Sequence, residues 1–245
     1  MNRRILKIVM SIIFLVGVYV ASCIFLPKSF LVNKTASKNA VKGEDEVETV
    51  DLSTKKVVLD SGHGGFDPGK ESKSGIKEKD INLSIAFQLK KLLEDSGIEV
   101  VMTRTDDQGL YSENDSNKKA ADMKARCKII DDAKPDIVVS IHQNSFQSSS
   151  IKGAQCFYYK HSADGKKLAE TLQEALKNDL DSSNDRVEKS DTSYYMLVHT
   201  SAPTVIAECG FLSNPEEAAK LNSEEYQKQV AQALYNGIIE YLTHA

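Results

Sequence analysis

Apolar residues follow two rhythms along this chain. From Lys55 onward, short runs of β-branched and aliphatic residues alternate with longer stretches in which apolar positions return every three or four residues. The short runs predict strands at 56–59, 99–103, 136–141, 154–159, 193–198 and 204–208. The longer stretches predict helices near 79–95, 118–132, 163–179 and 223–242. Strands and helices in alternation predict an α/β fold on a mostly parallel central sheet of about six strands, covered by helices on both faces.

Ahead of this domain, expected over 55–245, the pattern changes twice. Ile8 to Leu26 is uncharged and apolar, and at about 1.5 Å per helical residue it spans close to the roughly 30 Å hydrocarbon core of a bilayer. Arg3, Arg4 and Lys7 stand on its short flank, so the positive-inside rule keeps residues 1–7 in the cytoplasm and the bulk of the chain outside. The segment 8–26 therefore predicts one N-terminal transmembrane helix that tethers an extracytoplasmic protein. Two competing fates are cleavage and lipidation. Pro27-Lys28-Ser29-Phe30 makes a poor cleavage site, while Val20-Ala21-Ser22-Cys23 resembles a lipoprotein box with an apolar run continuing past the cysteine. From residue 27 to residue 54 the apolar periodicity is lost to Lys, Glu, Asp, Ser, Thr and Asn, as in a solvated linker.

Composition narrows the picture. The 245 residues are 41% hydrophobic and 27% charged, enough for one packed domain and an appendage. A net charge of -4 excludes the basic field that a nucleic-acid partner requires. Cys127, Cys156 and Cys209 are isolated and odd in number, so they read as small buried apolar residues rather than a disulfide framework.

The chemistry gathers at strand ends. The strand at 56–59 runs into Asp60-Ser61-Gly62-His63-Gly64-Gly65-Phe66-Asp67-Pro68-Gly69, which places His63 at a sheet edge, where open α/β folds bind ligands. In the same way the strand at 136–141 delivers His142, and that at 204–208 delivers Glu208. Two imidazoles and a carboxylate suit a hydrolytic zinc, which takes three protein ligands and leaves one position open. Glu78 is the best placed third ligand, although a carboxylate at a predicted helix start is also favoured by the helix dipole and could be a cap. Glu208 is left free to serve as general base and acid, so no serine or cysteine nucleophile is needed. Arg104 ends a strand and could grip a substrate carboxylate bidentately, whereas Arg126 lies within a helix and suits an ion pair. His199 could line the substrate groove, and Asn144 and Ser145 could orient a ligand or contact sugar. His161 and His244 read as solvated. Gly64 to Lys70 satisfies G-x-x-x-x-G-K, but Glu71 replaces the magnesium-binding hydroxyl and Pro68 removes a backbone donor, which argues against nucleotide hydrolysis.

Four segments in order carry a resemblance: Gly62-His63-Gly64-Gly65-Phe66-Asp67-Pro68-Gly69; Glu78-Lys79 with Asn82-Leu83; Ser140-Ile141-His142 with Asn144; and Glu208-Cys209-Gly210-Phe211-Leu212-Ser213-Asn214. From roughly Lys55 to Tyr241 they resemble the successive signatures of the zinc-dependent N-acetylmuramoyl-L-alanine amidases, the type 3 amidase family. The resemblance implies a three-layer α/β/α fold, zinc held by His63, Glu78 and His142, and Glu208 as the catalytic carboxylate. It also implies peptidoglycan as substrate, cut at the amide that joins the lactyl group of muramic acid to L-alanine of the peptide stem. Gln143 departs from the family pattern, which usually has a small residue there. The minimal domain, the single anchor and Tyr195-Met196-Leu197-Val198-His199 before Pro203 look most like the sporulation amidases of endospore formers. That likeness implies removal of stem peptides from cortex muramic acid, so that muramic-δ-lactam forms, and a place in the intermembrane space of the developing spore. The alternatives are a vegetative cell-wall amidase, or an amidase fold that docks a wall partner without turnover. With no wall-binding repeat and no long insert between His142 and Glu208, control by an exported accessory protein is expected.

Overall fold

The computed structural model describes residues 50–244 of the chain. The expected tail at 1–7, the anchor at 8–26 with Cys23, and the expected linker up to residue 49 lie outside them. Among the described residues no helix is long and apolar enough to cross a membrane. The last residues assigned to the linker are ordered: Leu52–Thr54 forms a single 3-10 turn, capped where Asp51 Oδ1 accepts the Ser53 N–H at 3.0 Å.

Six strands build one sheet. They are β1 (Lys56–Ser61), β2 (Glu99–Met102), β3 (Ile137–Asn144), β4 (Gln155–Tyr159), β5 (Lys189–Asp191) and β6 (Thr204–Phe211), in the spatial order β2-β1-β3-β6-β4-β5. Every neighbouring pair is parallel except β4 with β6. The helices are α1 (Glu78–Asp95), α2 (Lys118–Ala133), α3 (Ala163–Leu180), α4 (Tyr195–His199), α5 (Pro215–Leu221) and α6 (Glu224–His244).

The central strands are apolar on both faces because both faces are covered. Val57, Leu59, Val139, Ile141, Val205 and Ala207 belong to the large core shared with α1, α3 and α6. Their neighbours Val58 and Val138 point the other way, against Cys127 and Ile130 of α2 and Met196 of α4. This two-residue alternation produces the three layers. Helix α1 carries a stripe of Ile81, Ile85, Leu89 and Leu93, spaced four residues apart and fully buried. Each such side chain contributes about 1.5–3 kcal/mol on burial, well above the 0.3–1 kcal/mol of a typical dipole interaction. Packing therefore fixes α1, and with it the position of Glu78 in its first turn.

Three elements differ from the sequence-based expectation. The run at 193–198 is the short helix α4, and the remaining strand is β5 at Lys189–Asp191. Asp191 Oδ1 accepts the N–H groups of Ser193 and Tyr194, which turns the chain off the sheet. Tyr195 then stacks on His199 one turn later, with ring centroids 3.9 Å apart. A short apolar run fits either a strand or one helical turn, and periodicity cannot separate them. Helix α5 carries a start signal that the apolar pattern does not show: Asn214 caps it through the N–H groups of Glu216 and Glu217, with proline at the first position. Cys127, Cys156 and Cys209 are free and buried, as expected.

Candidate functional site

The carboxyl ends of β1, β3 and β6 lie side by side, and the register sets His142 opposite Glu208. His63 follows the end of β1 in a left-handed conformation, φ 63°, a region that few residues other than glycine enter and that clusters at functional sites. Two arginines hold this strained loop. Arg126 donates to Ser61 O and His63 O at 2.8 and 2.6 Å, and its Nη1 meets Asp60 Oδ1 at 2.7 Å. Arg104 donates to the carbonyls of Ser61, Gly62, Lys79 and Asp106 at 2.8–3.1 Å.

Glu78, His63 and His142 converge, each offering a ligand atom, and these atoms lie within 4.8 Å of one another. Glu78 Oε2 is 3.2 Å from His63 Nε2, and Glu78 Oε1 is 2.9 Å from His142 Nδ1. The carboxylate is 1% exposed. Backbone N–H groups hold it further: Lys70 donates to Oε2 at 2.7 Å and Gln143 to Oε1 at 3.0 Å. Glycines make room for this convergence. A Cβ at Gly62 would stand 2.3 Å from His142 Cε1, and one at Gly69 would stand 2.5 Å from Glu78 Oε2. Asp67 Oδ2 takes the other nitrogen of His63, Nδ1, at 3.0 Å.

The electrostatics follow from burial and pairing. Burial alone would raise Glu78, but the hydrogen bonds and charges of His142 and His63 outweigh it and hold its carboxyl well below the usual range. For His142, burial opposes the charge, yet Glu78 beside it wins and raises the imidazole to about 9. Glu208, 6% exposed, is pushed up to about 7 by burial. Its Oε2 has no hydrogen-bond partner, and its Oε1 meets the Tyr194 hydroxyl at 3.5 Å. All these groups line one cleft of about 440 Å³.

The residues fit a divalent cation. The buried carboxylate meets an imidazole nitrogen on each side here, and a cation ligated by the same atoms would compensate its charge. Asp67 gives His63 the carboxylate partner that orients a metal-ligating histidine.

Of the other sequence candidates, Asn144 and Ser145 line the cleft, with Asn144 Oδ1 accepting the Ser145 N–H at 2.8 Å. Arg104 does not line the cleft. It is 4% exposed and donates to the backbone carbonyls of Ser61, Gly62, Lys79 and Asp106, so it braces the turn after β1 against the start of α1. His199 stays outside the cleft, exposed and stacked on Tyr195, because its segment is a helical turn and not a strand. Arg126 makes the ion pair expected of it. Gln143 is buried, with its amide on Asn82 Oδ1 at 3.2 Å, so the departure from the family pattern sits beneath the ligands. His161 and His244 are exposed. The sequence pattern did not single out Tyr194, which lay within the apolar run assigned to a strand, or Asp67, whose spacing four residues after His63 was the available signal.

A sheet edge with paired imidazoles, a buried carboxylate between them and a second carboxylate beside them is the site of a hydrolase that activates water. Residues 57–240 match the family model Amidase_3, described as N-acetylmuramoyl-L-alanine amidase, and the chain belongs to that family. The germination-specific N-acetylmuramoyl-L-alanine amidase of Bacillus subtilis (strain 168) is 37% identical over 195 residues, covering 78% of this chain and 81% of the relative. Among solved structures, the CwlD amidase from Clostridioides difficile in complex with the GerS lipoprotein superposes with a TM-score of 0.76 at 42% identity, covering 78% of this chain and 100% of that one. An N-acetylmuramoyl-L-alanine amidase from Clostridium difficile 630 gives a TM-score of 0.68 at 34% identity, covering 78% and 97%.

Proposed function

We propose that this amidase is zinc-dependent and acts on spore-cortex peptidoglycan, where it hydrolyses the amide between the lactyl group of muramic acid and L-alanine. The observation that carries the reading is the convergence of His63, Glu78 and His142 beside Glu208, a buried carboxylate with an unpartnered oxygen. His63 Nε2, His142 Nδ1 and a Glu78 oxygen would hold the ion, a donor set that suits zinc. The chemistry that zinc supplies when bound is Lewis acidity, which polarises the amide carbonyl and brings the acidity of water toward neutrality. Glu208, raised to about 7 by burial, takes a proton from the attacking water and passes it to the departing nitrogen. The amide C–N bond breaks, leaving a lactyl carboxylate on the sugar and a free amino group on L-alanine.

The name of the Bacillus subtilis relative supports a cortex role, and the Clostridioides difficile complex supports an exported lipoprotein as the kind of partner this chain takes. The apolar segment 8–26 and its basic flank support attachment to the membrane, with the domain outside the cytoplasm.

Incubating the zinc-loaded protein with cortex peptidoglycan and analysing the fragments by mass spectrometry tests the reading. Stem peptides with a free N-terminal L-alanine and glycans with bare lactyl groups are expected. Cleavage elsewhere in the peptide, or none in the presence of zinc and partner, would overturn it.

A further inference from the structure

Glu208 is poorly satisfied for a buried acid. Among the described residues one side chain hydrogen-bonds it: the Tyr194 hydroxyl, at 3.5 Å from Oε1. Interior carboxylates normally need several donors, and here Oε1 has this one. Tyr194 is itself held in place from two sides. At the end of β5, Asp191 Oδ1 accepts the Ser193 N–H at 2.5 Å, the Ser193 hydroxyl at 2.8 Å and the Tyr194 N–H at 3.0 Å. The Tyr194 ring leans on Phe157 of β4, with centroids 5.6 Å apart, and Phe157 is registered against Ile206, two residues before Glu208. Burial, then the charge of Glu208, raises the Tyr194 hydroxyl above the ordinary phenol range, so it remains a proton donor at neutral pH.

We propose that Tyr194, set by the Asp191 turn, is a positioning residue for hydrolysis: its hydroxyl holds Oε1 of Glu208 and leaves Oε2 for the proton in transit. The inference rests on Glu208 being the general base and goes one residue beyond that reading. A catalytic hydrogen bond is often long before substrate binds, so 3.5 Å leaves room to shorten in the complex. The edge strand β5 thereby gains a purpose that its few pairings do not explain, which is to aim one tyrosine across the cleft.

The test compares the zinc-loaded full chain with Tyr194→Phe, Asp191→Ala, the double variant and Glu208→Gln, on a soluble muramyl peptide. Tyr194→Phe keeps the ring on Phe157 and deletes only the hydroxyl. It is expected to lower kcat about tenfold to a hundredfold, with KM within about twofold. Zinc content and melting temperature should match those of the unaltered protein. Asp191→Ala acts through the tyrosine, so it should cost less, and the double variant should be no slower than Tyr194→Phe alone. A normal kcat in Tyr194→Phe, a change confined to KM, or additive losses in the double variant would overturn the proposal. Full turnover by Glu208→Gln would instead remove the general-base reading. An inactive Glu208→Gln beside a fully active Tyr194→Phe would leave that reading standing and remove the role of Tyr194.

Discussion

Asp67 Oδ2 lies 3.0 Å from His63 Nδ1, and this pairing decides which imidazole nitrogen faces Glu78. With Nδ1 donating to Asp67, Nε2 keeps its lone pair for a metal. A carboxylate behind a ligating histidine orients the ring and raises its basicity.

Asp67→Ala is therefore expected to weaken zinc binding by about 10–100-fold. Competition against a chromophoric chelator measures it. The zinc-free variant should melt close to the unaltered protein, since Asp67 is only half-buried on a loop.

The two kinds of site residue separate by metal content. Glu208→Gln should retain stoichiometric zinc and lose turnover by about 10²–10⁴-fold, whereas His63→Ala and His142→Ala should lose both. Chelation should abolish hydrolysis without unfolding the sheet. Restoring zinc to about 100 times its Kd should add roughly 2.7 kcal/mol of stability. Metal analysis beside a turnover assay and a melting curve reads all of these.

A methyl group at Gly62 would collide with the His142 ring at 2.3 Å. Gly62 has no left-handed backbone, so Gly62→Ala should fold and displace the ring alone. A displacement near 1 Å costs about a hundredfold in rate. Normal zinc content together with normal turnover in this variant would contradict the close approach.

Asp60 and Arg126 form a buried pair at 2.7 Å, both about 1% exposed. Burial would raise Asp60, but Arg126 and the hydroxyls of Ser140 and Thr103 outweigh it and lower it to about 2. A folded value below the unfolded one stabilises the protein above about pH 4 and ceases to do so as pH falls toward 2. That contribution is roughly 2–3 kcal/mol. Denaturant titrations from pH 5 to pH 2 should show a shallower loss in Asp60→Asn than in the unaltered protein. Arg126→Met strands the carboxylate and should cost about 3–5 kcal/mol at pH 7.

Elements with a strong period are legible in the sequence. The strands at 56–59, 136–141 and 204–208 read as continuous apolar runs because helices cover both of their faces, and α1, α2, α3 and α6 show their buried stripes. The edge of the sheet was not legible. Lys189-Ser190-Asp191 pairs with one neighbour and has little to bury, so it carries no apolar pattern. The apolar run after it belongs to α4, whose Met196 and Leu197 bury from a helical turn. Within the site, His63, Glu78, His142 and Glu208 were readable from glycine corners and strand ends. Arg104 reads in the sequence as able to grip a substrate carboxylate, because sequence does not reveal that backbone carbonyls take its donors.

By itself the sequence determined the central strands, the long helices, the family, and the four side chains that meet at the cleft, because local periodicity and motif spacing are properties of neighbouring residues. Only the tertiary structure decided which groups are paired and which are left over. It set Asp67 behind His63, spent both arginines on backbone carbonyls, and aimed Tyr194 at Glu208 from an edge strand. Those relations join residues up to 65 positions apart. A hydrogen bond depends on angstroms in space, which no spacing along the chain encodes.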